Sequence, residues 1–202
     1  DTLTQDGANL DEIFSDVQGI LVPGGFGDRG IEGMITTAKY CREHDIPYLG
    51  ICLGMQIAVI EFARHVCGLA DANSGEFSKT SAHKIIDFLP DQSETIDKGA
   101  TLRLGAYPCH ILPGTRMHEC YGCDEIRERH RHRYEFNNDY REMLTDAGMT
   151  LCGQSPDGHI VEAVELSDHR FFVGVQFHPE FKSRPNRAHP LFKALVESSL
   201  KK

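Results

Sequence analysis

Apolar and polar positions along this chain change period in a regular way. Gly19-Ile20-Leu21-Val22 is a short apolar run that stops at Pro23-Gly24-Gly25, the pattern of a strand buried on both faces. Ile31, Met34, Ile35 and Ala38 then recur at helical spacing, and Ile46 to Ile51 is a second apolar run. Leu53 to Val66 reads as a helix, with Ile57, Ile60 and Ala63 or Arg64 on alternating faces. Before these, Asn9 is placed to cap a short helix from Leu10 to Asp16. In the middle of the chain, Lys84 to Leu89, Thr101 to Tyr107 and Glu128 to Asn137 look like strands of an antiparallel or mixed layer. Asp139 to Ala147 is helical and stops at Gly148. Three further strands follow, Thr150 to Gln154, His159 to Leu166 and Phe171 to Phe177, and Pro190 to Leu200 is a closing helix with Pro190 at its first turn. Such alternation predicts an α/β fold with a mostly parallel central sheet flanked by helices and a small antiparallel excursion.

Composition narrows the picture. The 202 residues suffice for a single domain, expected over residues 1–202. No apolar stretch reaches membrane-spanning length, and the formal charge of −9 argues against nucleic acid as a partner, with Arg127 to Arg133 the one basic strip. Seven scattered cysteines make an odd count, which fits reduced thiols and a cytoplasmic setting better than a disulfide framework.

Four patterns carry chemistry. Gly50-Ile51-Cys52-Leu53-Gly54 is a G-x-nucleophile-x-G turn between a strand and a helix. A nucleophile there sits in a tight backbone, its neighbours two positions away must be small, and the helix N-terminus favours thiolate. A structural thiol between two glycines is the alternative. Next, His178 follows the apolar strand in Gln176-Phe177-His178-Pro179-Glu180. Glu180 is close enough to fix the imidazole tautomer, leaving a base for the thiol proton. The third pattern, Gly25-Phe26-Gly27-Asp28-Arg29-Gly30, matches G-x-G-x-x-G. A dinucleotide site would need an acidic residue at the end of the next strand, where Cys52 stands instead. An oxyanion loop fits better, with the amides of Gly25 and Leu53 as donors. Finally, His118, Cys120 and Cys123, followed by His130 and His132, lie within zinc-site spacing. Alternation puts the two later histidines on one strand face and Arg129, Arg131 and Arg133 on the other, and three cations beside a dication disfavour a metal.

Together, Leu21 to Gly27, Gly50 to Gln56 and Gln176 to Glu180 resemble class I glutamine amidotransferase domains. Phe62 to Val66, Asn73-Ser74, Glu76-Phe77, Arg103 to Gly105, Glu128 to Asn137 and His189 to Phe192 resemble the CTP synthase family in particular. The resemblance spans about residues 18 to 195. It implies a glutaminase with a catalytic triad of Cys52, His178 and Glu180, and an oxyanion hole at Gly25 and Leu53. It also implies substrate contacts from Gly25, Gln56, Glu76, Arg133 and Tyr134, with Glu76 at the substrate ammonium and Arg133 at its α-carboxylate. Arg103 matches a position near the interface with the partner domain. No cofactor is implied for this domain. For the whole enzyme the resemblance implies ATP, Mg, allosteric GTP, a synthetase domain that aminates UTP, and a tetramer. The synthetase domain and the family's first strand and helix are expected to be absent from this chain. Two other readings stay open: a hydrolase acting on another γ-glutamyl compound, and a zinc-stabilised interaction module.

Overall fold

The computed structural model describes residues 2–5, 8–88 and 103–201. Its main sheet has seven strands in the order β1-β2-β10-β9-β8-β5-β6. These are β1 (Ile20–Val22), β2 (Tyr48–Ile51), β5 (Arg103–Ile111), β6 (Glu125–His132), β8 (Met149–Gln154), β9 (Val161–Leu166) and β10 (Phe172–Val175). A second sheet joins β3 (Asn73–Ser74), β4 (Lys84–Asp87) and β7 (Glu135–Phe136). The helices are α1 (Leu10–Ile13), α2 (Ile31–Glu43), α3 (Leu53–His65), α4 (Arg116–Tyr121), α5 (Arg141–Asp146) and α6 (Pro190–Leu200).

The α/β class is as expected, but the balance within the main sheet differs. Only β1 with β2 and β2 with β10 pair in parallel there; the pairings from β10 through β9, β8 and β5 to β6 are antiparallel. The antiparallel part is therefore the larger share of the described sheet. Short connections between β8, β9 and β10 leave no room for crossover helices, so those strands must return alongside one another.

Helix α3 corrects another expectation. Every residue from Leu53 to Ala63 is buried, so it has no solvated face over that length. It is enclosed between the sheet, where Gly174 of β10 faces Met55, and helix α2. One charge lies inside that enclosure. Glu61 is fully buried and takes a two-pronged hydrogen bond from Arg42 of α2, at 3.0 Å from Nε and 2.8 Å from Nη2. Asn9 caps α1 as anticipated, accepting from Glu12 N at 3.3 Å.

Two strands run differently from the sequence pattern. β5 continues through Pro108 to Ile111, because Pro108 pairs only with β6, and β8 joins β5 from His110 onward. The run Glu128 to Asn137 is not one strand: it splits into β6 and β7, which belong to different sheets. Burial alternates strictly along β6, whereas Glu135 and Phe136 are both buried, so Arg133 and Tyr134 form the crossing point. The expected strand ends at Leu89 and at Thr101-Leu102 lie outside the described residues. Helix α4 has no counterpart in the sequence pattern; Thr115 caps it, and Glu165 of β9 accepts from the amides of Arg116 and Met117 at 2.9 and 3.0 Å.

The alternation of β6 turns Glu128, His130 and His132 inward, with the two histidines against Glu162 of β9. Arg103 is buried as well, with Nη2 at 2.8 Å from Glu162 and Nη1 at 3.7 Å from Glu135. The resemblance implies an interface position for Arg103, yet within this chain it neutralises two interior carboxylates. The histidines form a chain fixed by a backbone oxygen. His132 Nδ1 lies 3.3 Å from the Tyr134 carbonyl, which can only accept, so His132 Nε2 accepts in turn from His130 Nδ1 at 2.8 Å. Burial and the Arg103 charge depress both rings, His130 to about 2 and His132 to about 3.

Two outcomes follow from this packing. Arg42→Ala leaves a buried carboxylate without its partner and should cost about 3–5 kcal/mol in urea unfolding, while Arg42→Met with Glu61→Leu should recover most of that. Between pH 6.5 and about 3 the unfolded chain takes up protons at His130 and His132 that the native state refuses, so these rings stabilise the fold above that window and lose the effect as pH falls. Glu135 and Glu162, raised by burial, act in the opposite sense. Unfolding free energies measured from pH 7 to pH 5 should therefore fall less steeply in His130→Asn/His132→Asn, by up to about 1.4 kcal/mol per pH unit for each ring removed.

Candidate active site

The site is built at the C-terminal ends of β2 and β10, neighbouring parallel strands of the main sheet. Cys52 follows β2 directly and has φ 51° and ψ −100°, a positive-φ conformation that a side-chain-bearing residue adopts only under constraint. The constraint is visible in its neighbours. A Cβ on Gly50 would lie 2.5 Å from the Gly54 carbonyl, and one on Gly54 would run into the Val22 carbonyl of β1. Tyr48 locks the turn from below, its hydroxyl donating to the Gly54 carbonyl at 2.8 Å. Cys52 N in turn donates to the Val175 carbonyl at 2.7 Å, fastening the turn to β10.

β10 delivers the second segment. His178 is 8% exposed and its Nδ1 lies 2.6 Å from Glu180 Oε1. A carboxylate only accepts, so Nδ1 carries the proton and Nε2 is left as a base. That Nε2 is buried, and no hydrogen bond joins it to the Cys52 sulfur. The two residues nevertheless flank one spot. A Cβ placed on Gly24 would lie 2.8 Å from His178 Cε1 and 3.5 Å from Cys52 Cβ. Gly24 is not singled out by the sequence pattern; its role is to leave that space open.

Two adjoining hollows meet at Cys52. One is lined by Gly24, Gly25, Cys52, Arg131, His178 and Glu180. The other is lined by Gly25, Cys52, Gln56, Glu76, Arg133 and Tyr134. Thus the residues named from sequence gather around a single sulfur, from the loop after β1, the start of α3, the loop after β3 and the β6–β7 crossing. The break after His132 is what aims Arg133 and Tyr134 into the hollow; an unbroken strand would have carried them past it. Leu53 N–H is hydrogen-bonded toward the sulfur, and Gly25 sits against the Leu53 side chain.

Electrostatics at the sulfur favour the thiol. Burial is the main cause, and with Glu180, Glu76 and Glu135 nearby it pushes Cys52 up to about 12, against the lowering effect of Leu53 N–H. Burial also raises the Glu76 carboxyl, opposed by the Gly27 N–H and by Arg133. The zinc arrangement considered from spacing does not assemble. His130 and His132 group with Glu162 beside Arg103, while His118 Nε2 is 2.8 Å from Asp124 and Cys123 is exposed.

The family described as glutamine amidotransferase class-I matches residues 2–198. CTP synthase of Moorella thermoacetica is 62% identical over 191 residues, covering 95% of this chain and 36% of that relative. CTP synthase of Carboxydothermus hydrogenoformans is 60% identical over 192 residues, with the same coverage, 95% and 36%. The chain thus spans about a third of the length of these curated relatives. Among solved structures, the Trypanosoma brucei CTPS glutaminase domain with bound acivicin superposes with a TM-score of 0.90 at 40% identity, covering all of this chain and 79% of that one. A glutamine amidotransferase from Thermotoga maritima, at TM-score 0.55 and 14% identity over 90% of this chain and 78% of that one, shares the fold. Matched along nearly its whole length by the family's profile and by a CTPS glutaminase domain, the chain belongs to the class I glutamine amidotransferase family.

Proposed function

We propose that this chain hydrolyses glutamine to glutamate and ammonia, and that it does so as the glutaminase domain of a CTP synthase. What carries this reading is the convergence of a strained cysteine, a carboxylate-held imidazole and a polar hollow around one sulfur atom. Close relationship to CTP synthases supports the choice of substrate.

His178 takes the Cys52 proton at Nε2, and the sulfur attacks the side-chain amide carbon of glutamine. Because burial holds the thiol up near 12, proton transfer and attack belong together: a free thiolate is scarce until imidazole and substrate are both in place. The oxyanion forms between the amides of Gly25 and Leu53. Protonated His178 then gives its proton to the leaving nitrogen, ammonia departs, and a thioester remains on Cys52. Water activated by the same imidazole releases glutamate and restores the thiol. Glu180 keeps Nδ1 protonated throughout and balances the imidazolium.

Glu76 and Arg133 hold the amino-acid end of the substrate. Their opposite charges match its ammonium and carboxylate, and Gln56 and Tyr134 complete the wall. The hydrolysis uses only protein groups and water. In the longer protein, ammonia passes to a synthetase domain for ATP- and Mg-dependent amination of UTP, with GTP as activator and a tetramer as the assembly. Among the described residues no helix is long and apolar enough to cross a membrane, and all seven cysteines are free. A reducing cytoplasmic location suits them.

Glutamate release tests the reading. Cys52→Ala should lower the rate by about 10³-fold or more, and a diazo-ketone analogue of glutamine should label Cys52 and none of the other six thiols. Equal rates for Cys52→Ala and the parent, or labelling at Cys41 or Cys109, would overturn it. Glu76→Gln should lower kcat/KM for glutamine by about 10–100-fold, the scale of a lost hydrogen bond to a charged group, with most of the effect in KM.

A further inference from the structure

One buried side chain at the site has no part in the triad. Gln176 stands between the last strand and His178, is fully buried, and its backbone N donates to the Glu162 carbonyl at 2.8 Å. Its side-chain Nε2 lies 3.6 Å from Cys52 Sγ, within reach of a hydrogen bond to sulfur. Its Oε1 lies 3.2 Å from Gln56 Nε2, and Gln56 Nε2 lies 3.2 Å from the Tyr134 carbonyl.

The direction of this chain is not arbitrary. A side-chain amide can be turned over so that oxygen and nitrogen exchange places, and only its partners decide which way it stands. The Tyr134 carbonyl is backbone and can only accept. It therefore requires the NH₂ of Gln56, whose second N–H then goes to Gln176 Oε1. With its oxygen so occupied, Gln176 must present NH₂ to the sulfur. The orientation is propagated over two side chains from one peptide carbonyl. The same carbonyl is the one that fixes the tautomer of His132.

We propose that Gln176 is a catalytic residue that donates an N–H to the Cys52 thiolate, and that Gln56, anchored on the Tyr134 carbonyl, is the positioning residue that keeps that N–H facing the sulfur. This rests on Cys52 being the nucleophile. The groups facing the sulfur are His178, Glu180, Glu76 and Glu135, with Arg133 beyond Glu76, so carboxyl groups on three sides disfavour a negative sulfur, Glu76 and Glu135 less so because burial raises them. Among the described residues, Leu53 N–H and Gln176 Nε2 are donors that favour it. With Leu53 N–H engaged by the oxyanion, Gln176 stays as a fixed amide donor to the sulfur, beside the His178 proton that restores the thiol in thioester hydrolysis. Donors to an ionised atom are the stronger class of hydrogen bond. The arrangement also assigns Gln56: with both N–H groups committed, what it offers the hollow is its carbonyl oxygen, an acceptor for substrate N–H.

The test does not require glutamine. The rate of Cys52 alkylation by iodoacetamide, followed on the Cys52 peptide across pH, reports thiolate directly. Gln176→Met, which keeps the bulk and removes the donor, should move the midpoint up by about one unit, a tenfold slower reaction at any pH below both midpoints. Gln56→Leu leaves Gln176 in place but frees it to turn over, and should shift the midpoint in the same direction by less; it also gives the reading if Gln176→Met fails to fold. Gln176→Glu should shift it furthest, because an anion replaces the donor. Unchanged midpoints in the folded variants would overturn the proposal while leaving Cys52 as nucleophile. If instead Cys52→Ala retained full glutamate release, the functional reading itself would fall, whatever the alkylation profiles show.

Discussion

The positive-φ turn at Cys52 is the constraint on which the site depends. A residue with a side chain pays a conformational cost at φ 51°, so the turn persists only because its surroundings leave no other path. Strand β2 is buried on both faces, its amide chain is tied to β10, and the helix that follows is enclosed on every side through Ala63. Gly50 and Gly54 pass within backbone contact of each other and of β1, leaving the chain to turn as sharply as it does. The sulfur is thereby presented at the end of the sheet with the first amides of α3 beside it. Flexibility at this point would scatter the very groups that must meet.

Charge is managed on the same principle. Four interior carboxylates are met by donors from distant elements: Glu61 by Arg42, Glu162 by Arg103, Glu165 by the amides opening α4, and Glu128 by Tyr121, Lys182 and His189, while Glu135 has only the Arg103 charge at 3.7 Å. Such contacts contribute little net stability over apolar packing, but a misplaced partner is heavily penalised, which narrows the ways the antiparallel half can pack on the parallel half. His130 and His132, kept neutral by burial, continue this seam to the wall of the hollow. The Tyr134 carbonyl stands where seam and site meet, accepting from His132 on one side and from Gln56 on the other.

The comparisons separate what the fold supplies from what the site supplies. The fold is shared with a glutamine amidotransferase at only 14% identity, while the CTPS glutaminase domain superposes far more closely, at TM-score 0.90. The elbow and the His178–Glu180 pair need only the central parallel strands. The hollow beside Cys52, proposed to hold substrate, needs the crossing from β6 to β7 and the small second sheet, which bring Arg133, Tyr134 and Glu76 to its lining.

Much of this was legible from local pattern. The elbow glycines, the strand ends before Pro23 and Cys52, the spacing of His178 and Glu180, and helix α6 at Pro190–Leu200 all follow from short-range rules, because tight turns, caps and strand burial are set by neighbours in the chain. Resemblance added the residues proposed to hold substrate. Other features depended on long-range contact. The pairing sense of β8, β9 and β10, the passage of β5 through Pro108, and the burial of Arg103 and of α3 from Leu53 to Ala63 are decided by what packs alongside. Gln176 is the clearest instance. Its place in the sequence marks it only as a polar residue at a strand end; which way its amide points is determined by the carbonyl of Tyr134, on a different strand crossing and reached through a third side chain. Local sequence marked the turn that bears Cys52, because its glycine spacing between strand and helix is a property of adjacent residues. Only the tertiary structure decided which donors face the sulfur, because a hydrogen-bond direction belongs to its partners and not to the residue that carries it.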